Sequence, residues 1–214
     1  MIPSPMKKLT IVLSLLFCAW SAQAKTNVVA TLPDYASIAR EIGGENVDVT
    51  VLAKPTEDPH FVDARPSFVV KLREADMLID GGAELEIGWL PPLLQNARNP
   101  KIAAGQPGRV EASQGIRLME VPAELSRAAG DVHAMGNPHF MVDPIIAKAV
   151  AQHLAAALAT IDAAHAAPYP ADEKQFENTI NAKPQEAGTK LPPTPVQRTG
   201  PNPSPRVYLP HSFL

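Results

Sequence analysis

Two histidines, His60 and His139, carry the chemistry most open to reading in this chain. Each follows a proline, in Asp58-Pro59-His60-Phe61 and Asn137-Pro138-His139-Phe140. Neutral imidazoles hold zinc and manganese together with carboxylates, and a proline before each ring restricts the backbone that aims it. The pair reads as two halves of one metal site; the blander reading of either one alone is an exposed loop histidine. The sole cysteine, Cys18, lies in the apolar amino-terminal run. A metal held by the rest of the chain must therefore be held by His, Asp or Glu.

The elements that would position these rings begin after a leader. Met6-Lys7-Lys8, the apolar run Leu9 to Trp20 and the small-residue end Ala22-Gln23-Ala24 have the three parts of a secretory signal. Residues 1–24 are read as that signal, cleaved after Ala24, because a spanning helix needs about 20 apolar residues. The remainder is then exported and soluble. A net charge of -3 gives no basic footprint for nucleic acid.

From residue 25 onward, β-branched runs alternate with helical spacing. Asn27–Thr31, Val47–Ala53 and Met77–Asp80 read as strands, with further short strands expected at Lys101–Ala104 and Arg117–Val121. Tyr35–Ile42, a stretch from Pro66 to about Ala75, and Leu85–Leu94 interrupted by Pro91-Pro92 read as helices. Asp143-Pro144 supplies an N-cap and a first-turn proline for an alanine-rich helix to about Ile161. Strands alternating with helices predict an α/β fold with a parallel sheet flanked by helices. Ligands of such sheets collect at the strands' carboxyl ends, where His60 is expected. Residues 25–165 form this lobe, 166–183 begin a further helix from Asp172, and Pro184 is expected to break it. Of the 23 prolines, eight fall between Pro184 and Pro210, so 184–214 reads as a disordered, proline-rich tail.

Several strings together resemble one family, the periplasmic solute-binding proteins of zinc and manganese ABC transporters. Asn27–Tyr35 (NVVATLPDY) is similar to its first strand and turn, and Pro55–Ser67 (PTEDPHFVDARPS) to its first ligand loop. Gly81-Gly82 with Leu85–Leu90 (LEIGWL) resembles its Leu-Glu-x-Trp-Leu segment with one residue inserted, and Gly130–Pro144 (GDVHAMGNPHFMVDP) its second ligand loop. The resemblance runs from about residue 26 to about residue 182. It implies that His60 and His139 are the first two metal ligands, that the metal is zinc or else manganese, and that the partner is an ABC membrane permease. It also implies two further ligands from a second lobe reached by a long helix, of which Asp172–Ala182 looks like the start. The chain stops matching at Pro184, so the second lobe is expected to be largely absent, through truncation or a shifted reading frame. His211 is the one stand-in for a third ligand.

Other polar residues have plainer expectations. His133 reads as a solvated loop residue rather than a capture site, and His153 and His165 as surface residues. Glu86 is expected to satisfy backbone groups near the Gly81-Gly82 turn rather than to pair with Glu84 as acid and base. Asp143 is a helix cap, and Asp58 is part of the turn that presents His60. The function implied is capture of a divalent metal in the periplasm, without bond chemistry, with affinity falling as pH drops through the imidazole range near 6.5. The alternatives are an exported zinc hydrolase and an inactive remnant with an aggregation-prone face. Against the hydrolase, the chain has no His-Glu-x-x-His helix.

Overall fold

The computed structural model describes residues 24–122 and 133–190. The proposed leader with Cys18, and the tail from residue 191 with His211, lie outside the described residues. The chain divides into two compact units, Met1–Asn178 and Thr179–Leu214. The sheet and the candidate site belong to the first.

Four parallel strands, β1 (Thr26–Ala30), β2 (Val47–Val51), β3 (Met77–Asp80) and β4 (Arg109–Glu111), lie in the order β2-β1-β3-β4. Thr26 pairs with Val47, Val28 with Met77, and Leu78 with Arg109. The central strands are buried on both faces, and their alternation divides the core in two. Val28, Ala30, Met77 and Ile79 point to one side, against Tyr35, Ile38 and Ile42 of α1 (Pro33–Gly43) and Val150, Leu154 and Leu158 of α4 (Pro144–Ile161). Val29 and Leu78 point to the other, against Phe68 and Leu72 of α2 (Pro66–Glu74) and Leu90 and Leu93 of α3 (Leu90–Ala97). A strand sandwiched this way has to be apolar at every position, as Met77-Leu78-Ile79 is. α4 is long and apolar enough to cross a membrane by composition. Here its Val150, Leu154 and Leu158 are fully buried against the sheet.

The chain moves from β1 outward to β2, then back across β1 to β3. That reversal opens a crevice at the carboxyl ends of β1 and β3, the usual ligand position of open parallel sheets. Glu86 ties those two ends together. Its Oε1 accepts a hydrogen bond from Thr31 Oγ1 at 2.6 Å and from the Gly81 amide at 2.8 Å, the backbone role expected of it. Gly82 adopts φ +64, and a Cβ there would lie 2.2 Å from Ser113 Oγ, so the turn after β3 favours glycine at that position.

Several expected elements differ. Lys101–Ala104 is not a strand: Pro100–Ile102 is a 3-10 turn, and the fourth strand is β4. A run of only three paired residues, Arg109-Val110-Glu111, carries too little alternation to be seen in advance. No strand forms over 117–121. Pro91 and Pro92 do not interrupt a helix but occupy the first turn of α3, where an amide has no intrahelical partner to lose. The last helix among the described residues, α5, runs Tyr169–Lys190, so it begins before Asp172 and continues through Pro184 and Gly188. A proline removes one bond of the ladder and costs about 3 kcal/mol; the turns on both sides of it keep their own bonds, and a 22-residue helix continues past it. His153 and His165, expected on the surface, are half-buried, the latter because its Nδ1 pairs with Asp162 Oδ1 at 3.0 Å.

Candidate metal centre

The loop after β2 builds the first half of the site. The amide of Phe61 donates to the carbonyl of Asp58 at 3.0 Å, closing a turn with Pro59 at its second position, where the fixed φ of proline is favoured. Asp58 Oδ1 accepts from the backbone amide of His60 at 2.9 Å and faces His60 Nδ1 at 2.7 Å. These two contacts hold the Asp58 carboxyl below the usual carboxylate range, the backbone bond contributing most. An ionised carboxylate only accepts, so Nδ1 carries the hydrogen and donates. In the neutral ring Nε2 is then bare and directed away from the turn. The buried Trp89 anchors the loop from below, its Nε1 donating to the carbonyl of Pro59 at 2.8 Å.

The second half repeats the device. Asn137 Oδ1 accepts from the backbone amide of His139 at 2.9 Å, so an Asx side chain caps the histidine two residues on, across a proline, in both loops. The Asn137 amide donates to the carbonyl of Met119 at 2.8 Å, and its Nδ2 to Glu120 Oε2 at 2.8 Å. Gly136 donates to the carbonyl of His133 at 3.1 Å, and the Ala134 amide donates to Glu84 Oε2 at 3.2 Å. Glu84 thus serves the loop, and is not paired with Glu86.

Three rings converge. The ring centroids of His60 and His139 are 5.0 Å apart, those of His60 and His133 5.1 Å, and those of His133 and His139 6.4 Å. One nitrogen from each lies within 4.8 Å of the others, and the His60 and His133 Nε2 atoms are 3.0 Å apart. His133 is half-buried, its ring meeting that of His60 Nε2 to Nε2 with the two planes 27° apart, unlike the solvated residue expected. His139 is more exposed. Even so, desolvation, and then the neighbouring His60 and His133, lower its affinity for a proton, which favours the neutral ring that metals require. A cavity of about 300 Å³ beside His139 is lined by Pro33, Tyr35, Lys54 and Leu85, segments that follow β1, β2 and β3. The rings therefore stand at the carboxyl edge of the sheet.

The fold and these rings define an α/β lobe with a cluster of metal-capable imidazoles at its ligand edge. The chain belongs to the ZnuA family, zinc-uptake complex component A, periplasmic, whose model it matches over residues 28–200, past the limit near residue 182. It is 26% identical over 181 residues to the metal ABC transporter substrate-binding lipoprotein ScbA of Streptococcus cristatus, covering 83% of this chain and 55% of that protein. The manganese ABC transporter substrate-binding lipoprotein scaA of Streptococcus gordonii matches at the same identity and coverage. The chain thus spans about half the length of these relatives. A zinc-bound ZnuA carrying a deletion of residues 138–173 superposes with a TM-score of 0.64 at 26% identity, over 80% of this chain and 60% of that one. A manganese-bound periplasmic protein from Candidatus Liberibacter asiaticus shares the fold, with a TM-score of 0.62 at 20% identity over 78% of this chain and 57% of the other. The family is a transporter component and not an enzyme, and it lends the hydrolase reading no support.

Proposed function

We propose that this chain captures a divalent transition metal, zinc in preference to manganese, in the periplasm and passes it to the membrane permease of an ABC importer. The observation that carries this reading is the meeting of His60 and His139 at the carboxyl edge of the sheet, each with its amide fixed by an Asx side chain. Residues 1–24 are read as the export signal, residues 25–165 as the metal-binding lobe, and the start of α5 as the helix leading toward a second lobe. Capture is ligand exchange: metal-bound water leaves as ring nitrogens enter. Asp58 holds the His60 ring with Nε2 presented, the kind of carboxylate partner that fixes the tautomer and orientation of a metal-binding histidine. The preference for zinc follows from the donors, because imidazole suits zinc while manganese favours carboxylate and water.

Calorimetric titration of the full chain with zinc chloride, alongside thermal unfolding, tests this reading. Free metal at a thousandfold its dissociation constant stabilises the folded state by about 4 kcal/mol. The expected result is saturable zinc binding with a rise in Tm, both lost in His60→Ala and His139→Ala. If zinc gives neither heat nor a Tm shift in the unsubstituted chain, metal capture is refuted.

A further inference from the structure

We infer that His133 is a third ligand supplied by the same lobe, so that the site offers three imidazoles without any residue beyond α4. The inference rests on the proposal that His60 and His139 bind metal, and adds a ring that the Asx-Pro-His pattern does not contain.

The geometry of the His60–His133 contact carries the argument. His60 Nδ1 is committed as donor to Asp58 Oδ1, which leaves Nε2 as the nitrogen facing His133 Nε2 at 3.0 Å. A zinc ion bonded to both at about 2.0–2.1 Å with tetrahedral angles would set these nitrogens about 3.3 Å apart. The rings already stand at nearly that spacing, joined without metal by a hydrogen bond from His133 Nε2 to the bare His60 Nε2 that the ion would replace. With the third nitrogen inside the same 4.8 Å limit, His139 closes the triangle by a small movement on its exposed side.

His133 is also held where it stands. The amide of Ala134 is tied to Glu84 on the turn after β3, and Asn137 is tied to Met119 and Glu120. Gly136 completes the turn at φ +107. These bonds fix both ends of the segment 133–139, so a single loop presents two of the three rings. Three imidazoles with one open position form a donor set suited to zinc. The open position remains for water or for an incoming acceptor group, a route by which the metal is handed on.

The test is long-range proton–nitrogen correlation NMR of the imidazoles in the full nitrogen-15-labelled chain, before and after one equivalent of zinc, combined with calorimetry on His133→Ala. The inference expects the ring nitrogens of His60, His133 and His139 to shift together, and His133→Ala to weaken zinc binding by at least about tenfold, the lower end of what even supporting residues contribute. If only His60 and His139 respond and His133→Ala binds zinc as before, the inference is overturned while the capture reading stands. If no ring responds, the capture reading fails and takes the inference with it. The NMR readout on the unsubstituted chain keeps the question decidable should His133→Ala fold poorly.

Discussion

At the scale of single residues, an acceptor two positions upstream fixes the backbone amide of each histidine of the Asx-Pro-His pair. Asp58 does more than Asn137, because its oxygen engages both the amide and the ring of His60. Replacing it with alanine should leave the fold intact, since Asp58 is exposed, yet free the ring to rotate and to change tautomer. Loss of such a partner costs about 10–100-fold in metal affinity, so Asp58→Ala is expected to weaken zinc binding about tenfold with Tm unchanged in the absence of metal. Calorimetry and metal-free melting would show it; equal affinity in the two proteins would mean that the ring needs no such support. The meeting of His60 and His139 was legible in the sequence because the device that fixes each is local: Asx, Pro and His are adjacent. His133 was not. Its neighbour His60 lies 73 positions away, and only the folded loop brings the two rings together.

At the scale of elements, the strands that mattered were the readable ones. β1 and β3 are buried on both faces where Val28-Val29-Ala30 and Met77-Leu78-Ile79 form continuous apolar runs, and α4 announces itself through the Asp143 cap, whose Oδ1 accepts from the Ile145 amide at 2.8 Å. β4 was missed because its three residues are chosen by pairing with β3 and not by any pattern of their own. Pro184 misled because a proline penalty is weighed against a single bond, while a long helix retains many. The element most exposed to a single change is the loop 133–139. Gly136 sits at φ +107, where L side chains rarely go, and a Cβ there would meet the carbonyl oxygen of Met119 at 2.8 Å. That carbonyl is the acceptor for Asn137, so it cannot retreat without releasing the loop. Gly136→Ala should cost about 1–3 kcal/mol of stability and reduce zinc affinity by displacing His133 and His139 together. Urea unfolding and zinc titration of the same preparation would check both effects, and an unaltered midpoint with unaltered affinity would show that the loop tolerates the side chain.

At the scale of the whole molecule, the strand ends that border the crevice are tied together by a buried acid. Glu86 bridges the ends of β1 and β3 and is shielded from water. Its pKa is pushed up to about 7, chiefly by burial and then by the charge of Asp80, against the hydrogen bonds from Thr31 and Gly81 that favour ionisation. In the unfolded chain the same carboxyl would lose its proton near 4.5. Between these values the folded state holds a proton that the unfolded state has released, so stability falls as pH rises from about 4.5 to about 7 and levels off above. The size of this contribution is on the order of 3 kcal/mol at about 1.4 kcal/mol per unit. Glutamine has the same shape and a carbonyl to accept both hydrogen bonds, and it does not ionise. Glu86→Gln should therefore resemble the parent near pH 5 and exceed it in stability near pH 8. Because His139 and Asp80 also titrate differently in the folded chain, the quantity to compare is the difference between the two proteins at each pH, from urea unfolding without metal. A constant difference from pH 5 to pH 8 would mean that Glu86 ionises in the folded protein as readily as in the unfolded one, and that the bridge between β1 and β3 places no strain on the lobe at neutral pH.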